Sequence, residues 1–199
     1  MPKEKQKEKE IALPRQLNRW PAKQHMRILV AILFVVFFAS SPAFAQSAGN
    51  KDSAPDTPDR KALNGFGGHL IVVEDPRGFI REWMKPETPK INPAKEVKRG
   101  DSIGAFVLFA GCKPDSHDIC KSEVDYTVYR PDGTVFVERK SLPLWDLQAP
   151  PAPIIQLGKA ILAFKLGPND GDGVYRVKAR VSDLNANVTL ELETEFRLK

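Results

Sequence analysis

Two neighbouring stretches near the end of the chain alternate apolar and polar residues at every step, a pattern that no helix can bury. In Val174 to Asp183 (VYRVKARVSD), Tyr175, Val177, Ala179 and Val181 share one side, and Val174, Arg176, Lys178 and Arg180 the other. Val188 to Leu198 (VTLELETEFRL) sets Val188, Leu190, Leu192, Thr194, Phe196 and Leu198 against Thr189, Glu191, Glu193, Glu195 and Arg197. A period of two belongs to a strand with one dry and one wet face. The short link Leu184-Asn185-Ala186-Asn187 makes the pair a hairpin.

The same grammar runs back to Gly65. Val124 to Tyr129 and Thr134 to Arg139 flank Pro131-Asp132-Gly133, where Pro fixes φ, Asp caps the turn and Gly takes a positive φ, giving a second hairpin. Ser102 to Ala110 (SIGAFVLFA) is almost wholly apolar, as befits a strand in mid-sheet or one buried on both faces. His69 to Glu74 and Ile161 to Leu166 complete seven or eight strands, with no sustained helical period between them. Residues 65–199 are therefore expected to form an all-β, antiparallel β-sandwich. Gly65-Phe66-Gly67-Gly68 is read as a flexible approach to it, and the polar, Pro-containing stretch 46–64 as a disordered tether.

Gly173 and Tyr175, opening the strand GVYRVKARVSD, resemble the start of strand F in bacterial secreted immunoglobulin-like domains, and Lys98-Arg99-Gly100-Asp101-Ser102-Ile103 resembles the turn that leads into their strand B. The resemblance covers residues 97–198. It implies an immunoglobulin-like fold in which the Tyr175 hydroxyl bonds back to the corner before it. The acidic residue four positions before the tyrosine in antibody domains is absent, since Gly171 stands there.

Residues 1–45 read as a leader. Ile28 to Ala39 is a run of twelve apolar residues behind Met26-Arg27. A bilayer core needs about 20, so the run has the length of a signal-peptide core rather than of a spanning helix. Pro42 then precedes Ala43-Phe44-Ala45, the small-x-small pattern of a cleavage site, which places the mature start at Gln46. The 25 residues before Met26 are long for such a leader: either translation starts at Met26 or the leader carries a long charged extension. An uncleaved anchor is the competing reading. These residues imply a periplasmic or secreted protein with no transmembrane segment in its mature chain.

Charge excludes one class of partner. The net charge of +5 comes from the leader, which holds eight of the 30 Lys and Arg but three of the 25 acids. The remaining chain is balanced at 22 of each, leaving no electrostatic footprint for nucleic acid.

Cys112 and Cys120 bracket KPDSHDI. In an exported chain an even pair is most simply a disulfide, here a local staple on a loop between strands. Asp115, His117 and Asp118 inside it offer a second reading, a zinc or copper site, since His, Cys and carboxylate suit those ions. Only His69 and His117 follow the leader, so no cofactor and no resident metal is expected. The run Asn169-Asp170-Gly171-Asp172-Gly173 has calcium-like alternation but no Glu at the twelfth position. H-E-x-x-H does not occur, and the chain is expected not to be an enzyme.

Function falls to binding. Asp115, His117 and Asp118 in the cysteine loop, Trp145 in the Pro-rich SLPLWDLQAPPAP and Trp83 in FIREWM are the candidate partner contacts. One tryptophan is expected in the core and the other partly exposed, with SLPLWDLQAPPAP as an extended connection crossing between sheets. The expectation is an exported, non-catalytic interaction module of the bacterial envelope whose partner is a protein or envelope component. The alternatives are a small periplasmic copper- or zinc-handling sandwich and an assembly accessory with a strand edge open to a partner strand.

Overall fold

The computed structural model describes residues 55–199 apart from residues 88 and 153. The leader with Ala43, Ala45 and Gln46, and the first part of the tether, lie outside the described residues.

Among the described residues nine strands and one helix follow in the order β1 (Arg60–Leu63), β2 (Phe66–Glu74), α1 (Pro76–Trp83), β3 (Glu96–Val97), β4 (Ser102–Ala110), β5 (Ser122–Tyr129), β6 (Val135–Trp145), β7 (Gln156–Lys165), β8 (Gly173–Asp183) and β9 (Val188–Leu198). They form two sheets, β1-β2-β4-β7 and β3-β9-β8-β5-β6. The sheets are antiparallel throughout except for the short parallel pair of β3 and β9. Matched to an immunoglobulin scheme, β2, β4 and β7 stand as strands A, B and E, while β5, β8 and β9 stand as C, F and G. β6 extends the second sheet as C′ does in variable-type domains. The chain is an immunoglobulin-like β-sandwich.

The tyrosine corner is present: Tyr175 donates its hydroxyl to the Gly171 carbonyl at 3.0 Å. Gly173 carries φ 137° beside Pro131, a conformation and a closeness that only glycine meets. The adjoining acidic turn is used internally. Asp170 accepts from the Gly167 N–H at 2.7 Å, and Asp172 pairs with Arg99 at 2.6 Å. The alternation read in the sequence holds: on β8, Tyr175, Val177, Ala179 and Val181 are buried between the sheets, and the Arg and Lys residues face water. There they cross to β9 as Arg176–Glu193, Lys178–Glu193 and Arg180–Glu191 pairs.

β4 is central in its sheet and covered on both faces. Ile103, Ala105, Val107 and Phe109 enter the core between the sheets. Phe106 and Leu108, with Ile71 and Val73 of β2, face outward beneath Phe79, Ile80 and Trp83 of α1. Gly104 lets α1 approach, because a Cβ there would lie 2.8 Å from Pro76.

Four expectations are corrected. Residues 55–64 of the expected tether are ordered: β1 pairs with β2 in the register Arg60↔His69 to Leu63↔Phe66. Asn64 and Gly65, with φ of 51° and 85°, make the tight turn between them, so the Gly-rich run is a turn and a strand start and not a flexible approach. FIREW is helical and Met84 its C-cap, with the helix start capped by the Asp75 carboxylate on the Gly78 N–H. Finally, SLPLW does not cross between sheets. β6 bends at Ser141, whose φ is 51°, and stays paired with β5 as far as Trp145. Bulges absorb the extra residues.

Candidate functional site

Four connections gather at one end of the sandwich, and they include both loops singled out in the sequence. Gly111 turns the chain out of β4 with φ 70°, at a point where any Cβ would collide with the Gly65 carbonyl. Cys112 and Cys120 form a disulfide, both sulfurs buried, that closes the passage from the first sheet to the second.

Inside the loop, Asp115 is an organiser. Its Oδ1 accepts from the His117 and Ile119 N–H groups at 2.8 and 3.1 Å, and Lys121 lies 3.3 Å from Oδ2. These bonds, the backbone donors foremost, hold its carboxyl below the usual aspartate range. Asp118 takes φ 60°. His117 is exposed, with only Ser116 at 3.3 Å from Nδ1.

The loop is seated from two sides. The buried Asp183 at the end of β8 accepts the Lys113 N–H at 2.8 Å and the Asn185 and Ala186 N–H groups at 3.0 Å. The Asn185 amide donates to the Lys113 and Ile119 carbonyls, both at 2.8 Å. On the other side the Cys120 N–H donates to Leu147, and the Ala149 N–H to Asp118, at 2.9 and 2.7 Å. Trp145 lies edge-on to Phe109 and donates its indole N–H to the Gln148 carbonyl at 3.0 Å. The two loops are thus one hydrogen-bonded surface. Between them runs an open cleft of about 560 Å³ lined by Asn64, Lys113, Pro114, Asp118, Gln148 and Pro150.

Of the five candidate contacts, Asp115, His117, Asp118 and Trp145 lie at this end. Trp83 does not: it packs tilted against Phe79 over the outer face of the first sheet. Both tryptophans are half-buried, which corrects the expected split between core and surface. Asp183 and Asn185 were missed, although an Asp-x-Asn after an alternating strand is an Asx-turn signal. Also missed was the pair His69 Nε2–Asp59 Oδ2, 3.1 Å apart, with Thr57 donating to the other carboxylate oxygen at 2.7 Å. Burial raises the Asp59 pKa, but the Thr57 hydroxyl, a backbone N–H and His69 outweigh it and leave the carboxyl below its ordinary value.

Among the described residues no three His, Cys, Asp or Glu side chains converge as a metal site, and the cysteine sulfurs are bound to each other. No helix among them is long and apolar enough to cross a membrane.

No protein-family model and no curated protein matches the chain. Solved structures resemble it at low similarity. An immunoglobulin-like protein from Pseudomonas aeruginosa is 16% identical, covering 66% of this chain and 91% of that one, with a TM-score of 0.30. A CARDB domain from Pyrococcus furiosus, solved in complex with di-metal ions, is 10% identical over 74% and 100%, at 0.36. A family 123 glycoside hydrolase from Clostridium perfringens is 10% identical over 66% of this chain but only 27% of its own, at 0.37. None of the three carries an activity over to this chain.

Proposed function

We propose that the chain is an exported, non-catalytic binding module of the bacterial cell envelope, which recognises a protein or envelope component through its loop end. One observation carries the reading. The cysteine loop and the Pro-rich segment, separate in sequence, are hydrogen-bonded into a single stapled platform with an open cleft between them. Loops fixed on a rigid sandwich bind with little ordering cost. The leader pattern and the disulfide support export. His69 and Asp59 are paired, but no hydroxyl or thiol stands on the imidazole among the described residues, so no nucleophile is set up there.

The test has two parts. The mass of the protein recovered from its host envelope should begin at Gln46 and be two protons light. Partners crosslinked to the protein in the envelope should then be lost more than tenfold in His117→Ala and Gln148→Ala, two exposed side chains, with the urea midpoint unchanged. Full crosslinking by both variants overturns the loop-end reading, and an intact leader overturns export.

A further inference from the structure

Two glycines stand on the outer face of the first sheet, and only one of them is explained by the chain itself. Gly104 makes room for Pro76 of α1. Gly67 has no positive φ, and a Cβ there would meet only Ala62 Cβ at 3.9 Å and the Lys61 carbonyl at 4.0 Å. Neither backbone nor packing asks for glycine at Gly67. Its missing side chain leaves a space.

The register extends that space into a trough. Ala62, Gly67 and Ala110 lie side by side across β1, β2 and β4, a row of minimal side chains. His69 and Leu108 rise along one side, and Ile91 and Ile155 complete a groove of about 270 Å³. With strands about 4.8 Å apart, a trough reaching from β1 to the neighbourhood of β7 is about 14 Å long. A dry cavity of 150 Å³ holds one benzene, so this volume takes on the order of ten apolar atoms. Long, narrow and apolar, it suits an unbranched chain better than a ring.

Its mouth holds charges of both signs, Asp56 and Arg60 among them. The Asp56 carboxylate accepts the Ala62 N–H, and that of Asp59 is engaged by His69 and Thr57. Arg60 sits beside His69 on the trough's face, whereas Lys61 contributes its backbone to the trough and alternates to the other face of the sheet. Among the described residues neither has a carboxylate within ion-pair distance, and Arg60 donates only to the Pro55 carbonyl at 3.3 Å. The chain upstream does not supply the apolar occupant once the leader is cleaved, because Gln46 to Ala54 holds no apolar side chain larger than alanine.

We infer that this trough binds a free, medium-length, unbranched acyl carboxylate, the chain lying over Ala62, Gly67 and Ala110 and the carboxylate facing Arg60. The site is on a different face from the loop-end platform and does not depend on it.

Calorimetry of the protein as its host produces it, with hexanoate, octanoate, decanoate and dodecanoate below their micelle concentrations, tests the assignment. Affinity should rise about two- to fourfold per added methylene and level off near decanoate, where the trough is full. Gly67→Leu and Ala62→Leu, which fill the trough from two strands, should each weaken decanoate more than tenfold with the urea midpoint unchanged. Arg60→Ala should cost decanoate about fivefold, the worth of an exposed ion pair, and leave decanol untouched. No binding, affinity independent of chain length, indifference to both filling variants, or decyltrimethylammonium binding as tightly as decanoate would each overturn it.

Discussion

Asp183 shows how one buried side chain decides the shape of a surface. Its carboxylate receives three backbone N–H groups, two from its own hairpin turn and one from Lys113 across the molecule. Removing the acceptor orphans all three, at about 1 kcal/mol or more each. Asp183→Ala should therefore lower stability by about 3 kcal/mol in urea denaturation, and Asp183→Asn, which keeps one acceptor oxygen, by roughly half as much. Asp115 plays the corresponding part within the cysteine loop and also makes that loop sensitive to acid. Because its folded pKa is depressed, the ordering it confers is present above the ordinary aspartate range near pH 4. That ordering is lost as pH falls through the lower folded value. Hydrogen exchange at the His117 and Ile119 amides should lose protection on acidification below about pH 4, and Asp115→Ala should show the same loss at neutral pH. A pH-independent pattern in the native protein would separate the loop's order from this carboxylate.

At the scale of elements, β4 ties the sandwich to its outer layer. Gly104→Ala places a Cβ 2.7 Å from the Phe106 ring and 2.8 Å from Pro76, so either the ring or α1 must move. The expected cost is about 1–3 kcal/mol, the range for overpacking a tight core. It should appear as lost exchange protection in α1 and the neighbouring β2 amides, with β8 and β9 unchanged. Elements of this kind also mark what the sequence could say. β8 and β9 were legible to within a residue because each has one wet and one dry face. β4 was legible as a buried strand because both its faces are covered. Two elements hid for opposite reasons. α1, at eight residues, is too short for a helical period to emerge, and only its Asp75-Pro76 start carried a signal. β1 has one large apolar residue in RKAL and is held by its turn, its register and the Asp59–His69 pair instead. Asn64-Gly65 was the sign to read there.

For the whole molecule, pairing between distant strands was beyond the sequence, since alternation states that a strand has two faces and not which sheet it joins. The loop end could be anticipated in its parts because Cys and Pro are local markers, but their union depends on Cys120, Leu147 and Asn185 meeting across the fold. The edges bear on the third reading, an accessory that accepts a partner strand. β6 at one edge is bulged, turns through Ser141 and carries Pro143, while β1 at another is only four residues long. Both features blunt strand addition at those two edges, while the ten-residue β7 edge of the first sheet has neither. The staple then becomes the sharpest test of how this architecture is organised. The bridge closes a nine-residue loop, and the chain-entropy estimate for such a loop is about 2.5 kcal/mol. Replacing both cysteines by alanine should lower stability by about that much, in a melt well below saturation of any ligand. The loss should be uneven. Only the two cysteines of the loop reach the core between the sheets, and the residues they bracket lie outside it, so β8 and β9 should keep their slow-exchanging amides while those of 113–120 and 147–149 speed up. The envelope partner, if it reads the platform, should be lost with them, whereas carboxylate binding in the trough over Gly67 should survive. A protein that loosens uniformly and loses both would show that the staple holds the sandwich as a whole rather than the platform at its end.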